Sequence, residues 1–203
     1  SLLAVAEARI ARLDPAARRF LRVASVFGEA FWEPGVAALL EPDQVPPDVV
    51  AYLVGREVFV AGEGRTHSGE LRFRHALLRD AAYAMLLPDD RALLHRRAGE
   101  WLVTSGGAQE PLVLAEHFER GGAAARAAPY FHRAAELALE SWNQPLVDSL
   151  VERALRCEPD EPLRGRLKLL EAAASVARGA HAEAVAQAKI AYESLPAGSA
   201  SRY

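Results

Sequence analysis

Lysine is almost missing from this chain: of its 24 lysines and arginines only Lys168 and Lys189 are lysines. Abundant alanine accompanies that bias, which marks coding composition and carries no functional weight. Cysteine occurs once, at Cys157, so no disulfide can form within the chain. A lone thiol fits a reducing, cytoplasmic setting. No apolar run reaches the length that spans a bilayer, so no membrane partner is expected. Ser1 opens no signal peptide, because Arg9 and Arg12 interrupt the apolar residues. The net charge of −3 gives no excess of positive charge for nucleic acid or another polyanion.

The residues that carry common chemistries are missing too. Neither lysine follows a glycine, so there is no phosphate-binding loop whose amides and lysine would cradle a nucleotide. No glycine-rich kinase loop, H-R-D or D-F-G occurs, and there is no G-x-S-x-G nucleophile turn. The six histidines, His67, His75, His95, His117, His132 and His181, are scattered without metal-ligand spacing. The pair Asp89-Asp90 follows Pro88, where carboxylates suit a helix start. These absences point to a chain that is not itself an enzyme and holds no cofactor.

A packable chain remains, 51% hydrophobic over 203 residues. Leu2, Val5, Ile10 and Leu13 suggest a first amphipathic helix. Asp14 before Pro15 is a cap followed by proline at the first helical position. Phe20, Leu21, Ala24 and Phe27 then keep helical spacing up to a stop at Gly28. Phe31 to Leu40 and Gln44 to Val54 are expected as two more helices. Alternation over Glu57 to Ala61 and Leu71 to His75 predicts two strands, joined by the polar loop Gly62 to Gly69. Three helices and a closing hairpin make a winged-helix-like layout over about 14–74. From Ala76 onward the pattern is helical. Stops fall at Pro88, Ser105-Gly106-Gly107, Gly121-Gly122, Pro159 to Pro162 and Gly179. Ala154…Pro159 recurs as Ala191…Pro196, close to the roughly 34-residue period of tetratricopeptide repeats.

The segment RFRHALLRDAAYAMLLPDDRALLHRRAGEWL, Arg72 to Leu102, resembles the region after the nucleotide-binding core of STAND-class signal-transduction ATPases. These include maltose-activator-like regulators and bacterial serine/threonine kinases with fused ATPase and repeat regions. The resemblance implies a mainly α chain in three parts. They are a winged-helix-like domain with a small β-hairpin (1–75), a helical junction (76–107) and tetratricopeptide-like antiparallel hairpins (108–203), incomplete at the C-terminus. It implies a regulatory segment excised from a larger protein, joining a nucleotide switch to a repeat-built sensor arm through a joint at 72–105. The expected partner is a protein or peptide, or the parent's own ATPase or kinase domains.

Several residues are candidates on these grounds. In related ATPases a winged-helix histidine meets the bound diphosphate; by resemblance His75, beside Arg74, is the position most like that, while the plainer reading of the same residue is a helix cap. Arg79, Arg91, His95 and Arg96, with Arg97, could form a basic docking strip or simply a solvated face. His117, Arg120, Trp142, Asn143 and Arg178 are candidates to line a repeat groove. Tyr83, Trp101 and Tyr130 fall on apolar stripes and are expected in packing. Two other functions compete with the switch: an adaptor presenting a groove, and a DNA-binding regulator. The third predicted helix, Pro-Pro-Asp-Val-Val-Ala-Tyr-Leu-Val, argues against DNA, since it has no side chain suited to reading base edges.

Overall fold

Asp14 begins a helix as its sequence demands: its carboxylate accepts from the Ala16 amide at 2.9 Å, and Pro15 takes the first turn. The computed structural model describes residues 2–40, 45, 47–61, 69–105 and 110–195. Most of the expected wing loop, the Gly106-Gly107 break and the segment after Leu195 lie outside the described residues. The chain divides into two compact units, residues 1–107 and 108–203.

Unit one runs α1 (Leu2–Ala11), α2 (Pro15–Ala24), a 3-10 turn (Ser25–Phe27), β1 (Ala30–Trp32), α3 (Glu33–Leu39), α4 (Val49–Gly55), β2 (Phe59–Ala61), β3 (Glu70–Phe73), α5 (Ala76–Ala84) and α6 (Pro88–Thr104). The strands form one antiparallel sheet in the order β1-β3-β2, with Phe31 opposite Leu71 and Phe59 opposite Phe73. β1 is a correction to the sequence reading, which placed a helix over Phe31 to Leu40. Phe31 and Trp32 extend along β3 instead, and the helix waits for Pro34 in its first turn. A three-residue strand has too few positions for alternation to show. The helix expected over Gln44 to Val54 begins only at Val49, after Asp48 takes a positive φ of 57°.

The core of this unit is aromatic at its centre. Phe59 packs edge-on against Phe31 at 4.6 Å and Phe73 at 5.1 Å, with Phe20 at 6.4 Å. Such rings contribute specific geometry beyond the area they bury. Residues 76–107, taken in the sequence as a junction, supply α5 and α6. Their Leu78, Ala81, Ala82, Leu94 and Ala98 belong to the same core as Phe20 and Phe31. Trp101 sits edge-on to Phe27 at 5.8 Å and close over Gly35, where a Cβ would approach its ring to 2.9 Å.

Unit two consists of antiparallel helices: α7 (Pro111–Arg120), α8 (Ala124–Glu140), α9 (Gln144–Arg156), α10 (Glu161–Ala177) and α11 (His181–Ser194). Alanines do much of the packing. Ala127, Ala135, Ala154 and Ala174 are fully or almost fully buried, letting the helices approach around Phe118, Phe131, Leu150 and Leu167. Gly165 serves the same end: a Cβ there would fall 2.7 Å from Leu195. α8 to α10 and α9 to α11 begin at the same interval, from Ala124 to Glu161 and from Gln144 to His181.

Candidate interaction site

The turns of unit two are built alike. After α7, α8 and α10 the chain bends by the same bonds: Ala123, Asn143 and Ala180 donate their amides back to Phe118, Ala138 and Ser175 carbonyls at 2.8, 2.9 and 2.9 Å. That closure satisfies orphan carbonyls at a helix end and needs one residue in the left-handed region, normally glycine. The three residues are Gly122 (φ 67°), Trp142 (φ 57°) and Gly179 (φ 76°). Tryptophan therefore occupies a position that its neighbours give to glycine. The other described non-glycine residues with positive φ are Asp48, Glu57 and Glu158, all acidic. Trp142 is 75% exposed, so its indole adds little to the core.

The candidate groove residues fall at helix ends. Asn143 caps α9, its side-chain oxygen accepting from Leu146 N at 3.3 Å. Arg178, at the end of α10, reaches Asp148 of α9 at 2.9 Å and donates to Ser175 Oγ at 3.2 Å. This bridge brings Trp142, Asn143 and Arg178 to one end of the hairpins. Arg120 closes α7 at the opposite end and pairs with Glu116 at 3.4 Å. His117 is a correction: expected on a groove, it is 5% exposed, because it falls beside Phe118 on the buried face of α7.

A second group escaped the sequence reading. His132 of α8 has a side chain only 14% exposed, with Nδ1 4.0 Å from Glu136. Burial lowers its pKa; Glu136 opposes that, while Arg166 on α10 and Arg133 add to it. A histidine four residues before a glutamate is a common helix pair, and nothing in one sequence places Arg166 beside it. Arg153 of α9 was also missed. It donates to Glu119 of α7 at 2.5 Å, approaches Glu116 at 3.4 Å and covers the Phe131 ring at 4.4 Å. Tyr130 stacks on Phe118 at 5.6 Å, as the packing expectation requires.

In unit one the cluster around His75 is locally matched. Arg72 pairs with Glu70 at 2.9 Å, Arg74 with Glu57 at 3.7 Å and Arg79 with Asp80 at 2.5 Å. His75 is exposed at the start of α5, its carbonyl accepting from Leu78 N, with no side-chain capping bond. The docking strip is not one surface. Arg96 is exposed, but Arg91 lies over the Tyr83 ring at 4.9 Å and donates to the Ala84 carbonyl at 2.9 Å. His95 corrects the sequence reading more plainly. It is 2% exposed, and its Nε2 lies 2.8 Å from Tyr83 Oη, a hydrogen bond inside the lobe. α6 is buried on a wide stripe, Leu94-His95 and Ala98-Gly99, which carries His95 inward.

Among the described residues no group of histidines, cysteines and carboxylates could hold a metal ion. No described helix is long and apolar enough to cross a membrane. Compared with protein-family models, with curated proteins and with solved structures, the chain matches none.

Proposed function

We propose that this chain is a non-catalytic regulatory and protein-interaction segment of a larger signalling ATPase or kinase. Its helical hairpins form the partner-binding arm. The observation that carries the reading is Trp142. A left-handed conformation costs a residue with a Cβ roughly 1–2 kcal/mol, and a large apolar side chain left in water gains nothing for the fold. Strain of this kind collects where structure serves contact with something else, and tryptophan is the side chain most enriched at the energetic centres of interfaces. The partner is a protein or peptide that covers the indole at the hairpin end shared by Asn143 and Arg178.

The tetratricopeptide-like reading is supported by the two successive hairpins α8–α9 and α10–α11, which begin at one interval and turn alike. The winged-helix reading is supported by the order α2-β1-α3-α4-β2-β3 with β3 between its neighbours. DNA is disfavoured as a ligand, because α4 itself, Val49–Gly55, contains no basic residue. In the switch reading, partner and nucleotide favour different arrangements of the parent protein, and the coupling is reciprocal. An adaptor would use the same tryptophan with no nucleotide.

The coding sequence preceding Ser1 separates the two. A phosphate-binding loop there supports the switch, and further helical hairpins in its place support the adaptor. Binding itself is tested with an aromatic photo-crosslinking residue, which keeps a ring at position 142 and should join the chain to one protein partner in a native extract.

A further inference from the structure

We propose that unit one carries a second binding site, a cleft between α2, the end of α3 and α6 that takes an acidic peptide segment. The cleft has a volume of about 330 Å³ and is lined by Arg19, Arg22, Arg97 and Asp90 around an apolar floor that includes Val23, Leu39 and Leu94. Among its described lining residues, three arginines against one aspartate give it a charge of +2, opposite in sign to the chain's −3.

The arginines of this unit divide into those that meet a carboxylate and those that, like Arg9, Arg12 and Arg96, have none within ion-pair distance among the described residues. Arg72, Arg74 and Arg79 each meet a carboxylate. Arg19, Arg22 and Arg97 have none within ion-pair distance among the described residues, and Arg97 makes only a long contact of 3.4 Å to the Leu39 carbonyl. Arg22 Nε is out of water and without a hydrogen-bond partner among the described residues, as is Arg91 Nε outside the cleft. An incoming carboxylate would give the guanidinium groups that face the cleft a charge-assisted partner. The cleft is open to solvent, whereas small-molecule sites typically bury 70–90% of their ligand. An open, apolar-floored channel with guanidinium groups on two helices fits an extended segment in which glutamate or aspartate flanks a leucine-sized side chain. This site uses no residue of the Trp142 surface, and the two proposals stand or fall separately.

The test is fluorescence anisotropy on the whole 203-residue chain. The probe is a fluorescein-labelled peptide, Glu-Leu-Glu-Glu-Leu-Glu, with the lysine counterpart Lys-Leu-Lys-Lys-Leu-Lys as control. The acidic peptide should bind saturably and weaken as salt rises to about 0.3 M. The double substitution R22E and R97E should reduce affinity at least about tenfold. Far-UV circular dichroism checks that the variant folds. If it does not, Arg19→Ala, at an exposed position, should still weaken binding by about twofold to threefold. Equal affinity for the basic peptide, indifference to these substitutions, or binding to phosphatidylserine vesicles without binding to the peptide overturns the proposal.

Discussion

Arg153 Nη2 donates to Glu119 Oε2 at 2.5 Å, tying α9 to α7 across the Phe131 ring of α8. The pair is partly screened by solvent, the arginine side chain being 22% exposed and the glutamate 34%. Arg153→Ala should therefore lower the stability of unit two by about 1–2 kcal/mol, the sum of a discounted ion pair and a cation–π contact. Arg153→Lys should recover only part, since an ammonium cannot reproduce the fork. Chemical denaturation of Arg153→Ala, Glu119→Ala and the double variant, read as a double-mutant cycle, measures the coupling. Additive losses would show that the bridge contributes nothing.

Trp142→Gly should leave the fold intact or stabilise it by about 0.5–1 kcal/mol, because it places glycine where Gly122 and Gly179 already stand. The same variant should lose partner binding. A melting temperature that falls instead would mean that the indole supports the fold and is not spare for a partner.

His132 should make stability depend on pH. Burial lowers its pKa in the folded state. The unfolded chain then binds more protons below about pH 6.5, so stability rises with pH across the window from the lowered value up to about 6.5. Acidification through that window costs stability, and the loss levels off once both states are protonated. His132→Gln should flatten this part of the profile. Thermal melts of the two proteins between about pH 5 and 8 give the comparison, and identical slopes would remove the effect.

Cys157 is 7% exposed, and burial pushes its thiol up, with Glu119 adding to the shift. Both effects reduce access and thiolate. Ellman's reagent should label it at least about tenfold more slowly in the native chain than in denaturant. Equal rates would place the thiol at an open surface.

Phe59→Ala should destabilise unit one by about 3–5 kcal/mol, since Phe31 and Phe73 both lose their central contact. Unit two holds its own core around Phe118 and Phe131. Hydrogen exchange resolved by peptide should show protection lost in residues 1–107 first.

Signals of local chemistry were legible in the chain. Asp14-Pro15 starts a helix, Gly28 ends one, and Pro88 with Asp89 and Asp90 starts another, because caps and breakers act on their immediate neighbours. β1 was not legible, since a strand of three residues is defined by its partner β3. Nor were the fates of His95 and His117. Each stands between an apolar and a charged residue, Leu94-His95-Arg96 and Glu116-His117-Phe118, and only packing decides which face is buried. Trp142 was visible as a candidate, but the reason to single it out was not. That reason is a backbone conformation shared with two glycines, at positions 122 and 179.

Placing an aromatic photo-crosslinking residue, which keeps a ring there, at position 142 of the otherwise native chain tests the central claim most directly, with the same residue at exposed Val185 as the control. The account predicts a single crosslinked protein partner at position 142 in native extract, displaced by unlabelled chain but not by the Trp142→Gly variant. Crosslinks that are the same from both positions, or that the Trp142→Gly chain displaces equally well, would contradict it.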